Sequence, residues 1–148
     1  MIAAVTISRR DIQKFNSTLI NIIRAHYPET QAIYLFGSYQ TADERPHSDV
    51  DIALLLPPEQ AKAVGTLALS ALRSELEVYL ERDVDLINLR QVPTVLQKEV
   101  VAADRQIYCA NAYAAAEFEM LTFSYYQKLN EERRNIIRDA LTTGRFVA

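Results

Sequence analysis

The sequence has little cysteine, little glycine and no long apolar run, and each shortage excludes a class of structure. Cys109 is the single cysteine, so the chain cannot form an internal disulfide, and a reducing, cytoplasmic location is the natural expectation. No apolar run reaches about 18 residues, so we expect no transmembrane helix and no membrane partner. Residues 1–15 lack a basic start followed by a long apolar stretch, so we expect no signal peptide.

A surplus of positive charge is also missing. The formal net charge is −3, which gives no general electrostatic footprint for nucleic acid, and we expect no direct nucleic-acid partner. The 148 residues, of which 49% are hydrophobic and 24% charged, suit one domain with a real core. We therefore expect residues 1–148 to form a single domain.

Hydrophobic periodicity and turn residues predict an alternation of helices and strands. Ser8 and Asp11 resemble a capping box that opens the first helix, and Gly144 is the expected stop of the last. The predicted helices cover Arg9–Tyr27, Glu59–Tyr79, Gln91–Ala103 and about Asn111–Leu141; the predicted strands cover Ala32–Phe36, Val50–Leu56, Asp83–Leu89 and Arg105–Ala110. This order predicts an α+β (α/β) fold, with a mixed β-sheet flanked by helices and a C-terminal helical segment.

Two aspartates, Asp49 and Asp51, stand at the start of an otherwise apolar strand. Side chains at i and i+2 of a strand point to the same side, so these carboxylates should converge. Asp85 opens the next predicted strand in a matching context, "DVDLINL" against "DVDIALL". Three converging carboxylates repel one another unless a cation lies between them. Hard oxygen ligands suit Mg²⁺, and two such ions can serve a phosphoryl displacement.

The glycine scarcity makes the position of Gly37 informative, because this glycine ends the first strand directly before Ser38. A glycine there lets the backbone approach a phosphate, free N–H groups can bind the anion, and the Ser38 hydroxyl adds a donor. The ten residues Tyr39 to Ser48 then separate Gly37-Ser38 from Asp49-x-Asp51. The pattern predicts a phosphate-binding turn and a metal cluster at the same end of two strands.

Gly37-Ser38 with the spaced Asp49-x-Asp51 resembles the signature of the nucleotidyltransferase superfamily that shares its fold with DNA polymerase beta. The short chain and the terminal "KLNEERRNIIRDALTTGRF" are similar to its minimal branch, the MNT-domain antitoxins that pair with HEPN-domain toxins. The resemblance implies a catalytic core over about residues 30–110 and a C-terminal helical segment over about residues 111–148. It also implies an antitoxin of a type VII system, which transfers AMP from ATP to a tyrosine of its cognate HEPN toxin.

Carried onto this sequence, the resemblance implies that Asp49, Asp51 and Asp85 are catalytic and bind Mg²⁺, as two ions. Gly37 and Ser38 would bind the nucleotide, with ATP as the substrate. Two rival functions remain open: a non-catalytic antitoxin that acts by stoichiometric binding, and a small-molecule nucleotidyltransferase.

Several residues allow a plainer interpretation. Asp83 lies on the same strand face as Asp85 and could instead be the third carboxylate, or a salt-bridge partner of Arg82. His47 and Arg45, in the loop before Asp49, are most simply surface residues. Cys109 is expected in the core of a strand. Phe118, Leu121 and Tyr125 fit a core-facing stripe of the last helix, whereas Phe123 and Tyr126 fall elsewhere and are candidates for a protein interface.

Overall fold

The computed structural model describes residues 9–45 and 48–143, so the predicted roles of Ser8, His47 and Gly144 lie outside the described residues. Five α-helices and four strands follow one another along this part of the chain. The helices are α1 (Arg9–His26), α2 (Pro58–Val64), α3 (Ala71–Leu80), α4 (Thr94–Ala102) and α5 (Ala112–Thr143), and a short 3₁₀ turn covers Leu89–Gln91. The strands are β1 (Ala32–Phe36), β2 (Val50–Leu55), β3 (Val84–Asn88) and β4 (Gln106–Cys109).

The four strands form one sheet in the order β3-β2-β1-β4. β1 runs antiparallel to both β2 and β4, whereas β2 and β3 run parallel. The parallel pair requires a crossover, and α2 and α3 supply it. The predicted mixed sheet with flanking helices is confirmed, with a long helix at the C-terminal end.

Both faces of the central strands are covered, which explains why β1 and β2 show no alternation of apolar and polar residues. On one face, Ile33, Leu35, Ile52 and Leu54 pack with residues of α1 and α3 such as Ile23 and Leu76. On the other face, Tyr34, Phe36, Ala53 and Leu55 pack with residues of α4 and α5 such as Val100 and Phe118. The site described below therefore rests on two strands that are fixed from both sides.

The single helix predicted over Glu59–Tyr79 is wrong, because the chain breaks there into α2 and α3. Gly65 ends α2 with a φ of 65°, a left-handed conformation that suits glycine. Ser70 then begins a new helix, and its hydroxyl accepts a hydrogen bond from the Arg73 N–H. Leu69 lies in the intervening loop and is 92% exposed.

Two expectations about the C-terminal part are also wrong. Cys109 is exposed, because it ends a strand at the edge of the sheet. Of the predicted stripe on α5, Phe118 is buried, but Leu121 and Tyr125 are exposed. The reason is that α4, with only 9 residues, covers just the first part of the 32-residue α5. Asn111, directly before α5, caps this helix: its side chain accepts a hydrogen bond from the Ala114 N–H at 3.0 Å.

No helix within the described ranges is long and apolar enough to cross a membrane.

Candidate active site

The end of β1 brings the backbone against a carboxylate of β2. Gly37 follows Phe36 with a φ of 70°, and a Cβ atom placed on it would lie 2.0 Å from Asp51 Oδ2. Both the conformation and the close approach require glycine at this position. The turn that leaves β1 is therefore in direct contact with the first carboxylate of the site.

Strand register places the second carboxylate beside the first. Asp51 pairs with Phe36 on one side and with Asp85 on the other, and paired residues of neighbouring strands point to the same face. Asp49 precedes Asp51 by two residues and is exposed, as is Asp85. The structure thus brings together, at one end of the sheet, the four residues that the sequence predicted there: Gly37, Asp49, Asp51 and Asp85.

The three carboxylates lie close enough to affect one another's charge. Burial of Asp51, followed by the negative charges of Asp85 and then Asp49, raises the pKa of Asp51 from 3.8 to about 6. Asp83 is absent from these causes, and its side chain is exposed. Of the two candidates for the third carboxylate, the geometry favours Asp85.

Within the described ranges, no three His, Cys, Asp or Glu side chains form a complete metal-binding set. Mg²⁺ does not require such a set, because it usually binds one or two carboxylates and completes its shell with water and substrate phosphates. The partly buried carboxylate of Asp51, beside the like charges of Asp85 and Asp49, offers the oxygen ligands that a hard cation prefers. These residues fit an ion that arrives with a nucleotide, and their assignment as metal ligands stays a prediction.

Ser38 continues the turn after Gly37. Its carbonyl accepts hydrogen bonds from the N–H and the hydroxyl of Thr41. Neither the N–H nor the hydroxyl of Ser38 has a partner among the residues that the structure describes. As far as the described residues go, both groups are open to a ligand, as the predicted phosphate-binding role requires.

Two arginines that the sequence did not single out for this site fix the turn and the loop that follows it. Arg105, just before β4, donates hydrogen bonds to the carbonyls of Gly37 (3.2 Å) and Tyr39. Arg82, just before β3, pairs with Glu44 and lies over the ring of Tyr39. Arg82 thus forms its salt bridge with Glu44 and not with Asp83, the partner that the sequence suggested.

No local signal in the sequence could have identified these arginines, because Arg105 lies 68 residues from Gly37 and Arg82 lies 38 residues from Glu44. Only the order of strands in the sheet brings them together. Arg45, in the same loop, is exposed, in line with a surface residue.

An open groove of about 440 Å³ borders the carboxylates on the β3 side of the sheet. Asp49, Asp83 and Asp85 line it together with Leu69 of the α2–α3 loop and Arg73 of α3. The Arg73 guanidinium is already held by the carbonyls of Val84 and Ala68. The groove gives a second molecule a direct path to Asp85.

The mixed sheet, the Gly-Ser turn and the carboxylates on two adjacent strands define a nucleotidyltransferase site. The family model described as "Polymerase beta, Nucleotidyltransferase" matches residues 17–113. The chain belongs to this family. The resemblance drawn from Gly37-Ser38 and Asp49-x-Asp51 is confirmed.

The chain is also similar to three individual proteins. It is 36% identical over 131 residues to the protein adenylyltransferase MntA of Shewanella oneidensis, covering 88% of this chain and 91% of that protein. It also resembles a chain in a crystal structure of a toxin–antitoxin with AMP-PNP, with a TM-score of 0.68, 36% identity and coverage of 85% and 98% of the two chains. A third relative lies in a structure of a tri-AMPylated Shewanella oneidensis HEPN toxin in complex with MNT antitoxin (TM-score 0.61, 34% identity, coverage 87% and 98%).

Proposed function

We propose that this protein is the antitoxin of a type VII toxin–antitoxin system and transfers AMP from ATP to a tyrosine of a HEPN-domain toxin. The observation that carries the proposal is the pairing of Asp51 with Asp85 beside the Gly37 turn. The similarity to an adenylyltransferase, and to complexes that hold AMP-PNP or an AMPylated HEPN toxin, supports the choice of nucleotide and partner.

In this proposal, the N–H and hydroxyl of Ser38 hold the ATP phosphates, and Asp49, Asp51 and Asp85 would hold Mg²⁺, as two ions. Bound Mg²⁺ would neutralise the phosphate charge and orient the reacting oxygens. Asp85 accepts the proton of the incoming tyrosine hydroxyl. The tyrosine oxygen then forms a bond to the α-phosphorus, the bond to the β-phosphate oxygen breaks, and pyrophosphate leaves.

The groove beside β3 offers the toxin segment a route to the site, because it leads from solvent to Asp85. We propose that residues 1–148 act as one minimal domain, with the catalytic core at about residues 30–110 and α5 available to the partner. The lone cysteine supports a cytoplasmic location for this chemistry.

A label-transfer experiment tests the function. The purified protein is incubated with α-labelled ATP, Mg²⁺ and the HEPN-domain protein encoded by the neighbouring gene, and the labelled chain is identified. We expect the partner to gain AMP on a tyrosine, and a trace of the protein to silence a large excess of toxin. Label on neither chain would refute the proposal.

Matched variants separate catalysis from binding and resolve the third carboxylate. Asp49→Asn with Asp51→Asn, and Asp85→Asn alone, should each abolish transfer, whereas Asp83→Asn should retain it. Retained transfer in Asp85→Asn with loss in Asp83→Asn would reverse the assignment. If the double variant protects cells from the toxin as well as the wild type at matched low expression, stoichiometric binding is the mechanism.

A further inference from the structure

We infer that Arg105 is a positioning residue for the nucleotide, which acts by holding the Gly37–Tyr39 turn in its phosphate-binding conformation. The inference rests on the proposed function, because it assigns a role within that site. Arg105 lies outside the Gly-Ser and Asp-x-Asp motifs. It directly precedes β4, the last strand along the chain.

The contacts of Arg105 converge on the turn from one side. Its guanidinium donates to the carbonyl of Gly37 at 3.2 Å and also to the carbonyl of Tyr39. Its own carbonyl accepts a hydrogen bond from the Leu35 N–H at 2.9 Å, so its backbone is fixed to β1. The arginine thus joins the end of β1 to two peptide groups of the turn that follows it.

Peptide planarity converts these contacts into an orientation for the nucleotide donors. In a trans peptide the C=O and N–H bonds point in opposite directions. When the Gly37 carbonyl points toward Arg105, the Ser38 N–H must point away from it. This N–H has no partner among the described residues. Arg105 therefore presents an open donor on the side of the turn that it does not occupy.

Arginine is better suited than lysine to bridge two carbonyls with one cationic group. The planar guanidinium carries several N–H donors in fixed directions, whereas lysine offers a compact ammonium on a flexible stem. The neighbouring Gly37, with a φ of 70°, has no side chain to restrict its backbone, so the bridge supplies a restraint that this residue does not. Loss of the bridge would free this turn to adopt other conformations and would weaken phosphate binding without touching the carboxylates.

The test compares Arg105→Gln and Arg105→Lys with Arg90→Gln. Arg90 is a matched control, because it also donates to a backbone carbonyl, that of Leu56, but at the opposite end of β2. For each variant, calorimetry gives the dissociation constant for AMP-PNP with Mg²⁺, hydrogen exchange reports on the amides of residues 37–41, and thermal unfolding gives Tm.

We expect Arg105→Gln to weaken AMP-PNP binding about tenfold, the scale of a lost charged hydrogen bond, and to accelerate exchange at residues 37–41. In the transfer reaction KM for ATP should rise while kcat at saturating ATP stays near that of the wild type. Arg105→Lys should recover part of the affinity. Arg90→Gln should lower Tm but leave the affinity for AMP-PNP unchanged.

Wild-type affinity together with wild-type exchange in Arg105→Gln would overturn the inference. An equal loss of affinity in Arg90→Gln would also overturn it, because the effect would then be general destabilisation. Failure of the wild-type protein itself to bind AMP-PNP would refute the proposed function instead, and the exchange rates at residues 37–41 would still decide whether Arg105 holds the turn.

Discussion

Asp51 carries an electrostatic cost in the nucleotide-free protein. Its carboxylate is partly buried against Gly37 and faces the charges of Asp85 and Asp49, which together raise its pKa to about 6. In the unfolded chain the same group has an ordinary pKa of 3.8. A cation bound between these carboxylates would remove the repulsion, so the site is built for its occupied state.

This pKa shift predicts a pH-dependent stability in the absence of Mg²⁺. The folded protein binds the Asp51 proton more tightly than the unfolded chain does. The stability that this proton contributes is therefore fully present below pH 3.8 and is lost as the pH rises through about 6. Asp51→Asn should therefore be more stable than the wild type at pH 7.5 and similar to it at pH 4. Urea unfolding at the two pH values measures the difference.

Asp83→Asn is the control for this prediction, because Asp83 does not contribute to the pKa shift of Asp51. It should keep the pH dependence of the wild type. A loss of stability in Asp51→Asn at pH 7.5 would show that the charged carboxylate supports the fold.

The residues that the sequence could identify are those whose chemistry is local. Gly37 and Ser38 follow a strand directly, and Asp49 and Asp51 share a face through the two-residue period of a strand. Asp85 could be inferred only because its context matches that of Asp51. Arg105 and Arg82 carry no such signal, since their partners are carbonyls and side chains that only the folded sheet brings near.

At the scale of elements, the break between α2 and α3 shapes the approach to the site. Gly65 ends α2 in a left-handed conformation, and the loop that follows exposes Leu69 beside the groove. A continuous helix would have carried Leu69 to a different position. Gly65 and Ser70 are the stop and start signals in the sequence that could have revealed the break.

The position of Leu69 predicts a selective effect on the acceptor. Leu69→Ala should raise the KM for the HEPN toxin several-fold, because it removes an apolar contact at the entrance to Asp85, and should leave AMP-PNP binding unchanged. Steady-state transfer assays and calorimetry measure the two quantities. Val78→Ala is the matched control, since Val78 is a similarly exposed residue of α3 outside the groove.

Equal KM values for Leu69→Ala and Val78→Ala would contradict a route through the groove. The toxin would then have to approach the carboxylates from the face of the sheet that α4 and α5 cover.

At the scale of the whole molecule, α5 extends well past the sheet. Its 32 residues span about 48 Å at 1.5 Å per residue, yet its buried residues are Ala115, Phe118 and Thr122 near the start and Ala140 near the end. Tyr125 and Ile136 are exposed and lie about two and five helical turns beyond Phe118, on the same side of the helix. Exposed apolar residues thus continue the core-facing side of α5 between Thr122 and Ala140.

We expect the toxin to cover this side of α5. Tyr125→Asp with Ile136→Asp should weaken toxin binding by about 2 kcal/mol or more, the effect of losing large interface side chains, while AMP-PNP binding stays intact. Analytical ultracentrifugation of the mixed proteins measures the association. Gln127→Asp places a charge on another side of the same helix and should bind as the wild type does; unchanged binding in the double variant would contradict the prediction.

The fold as a whole was predictable where strands and helices are long, apolar and bounded by turn residues. β1 has the predicted bounds, and the mixed sheet has the predicted character. Burial along α5 was not predictable, because a helical stripe indicates which side is apolar but not how far the neighbouring helix reaches. The exposure of Cys109 similarly depends on the place of β4 at the edge of the sheet.

The strand order also has a consequence for the newly made protein. The carboxylates come from β2 and β3, and the arginine that holds the nucleotide turn precedes β4, so three strands distant in sequence must dock before the site exists. A chain still leaving the ribosome, or one cut before residue 105, would therefore lack part of the site.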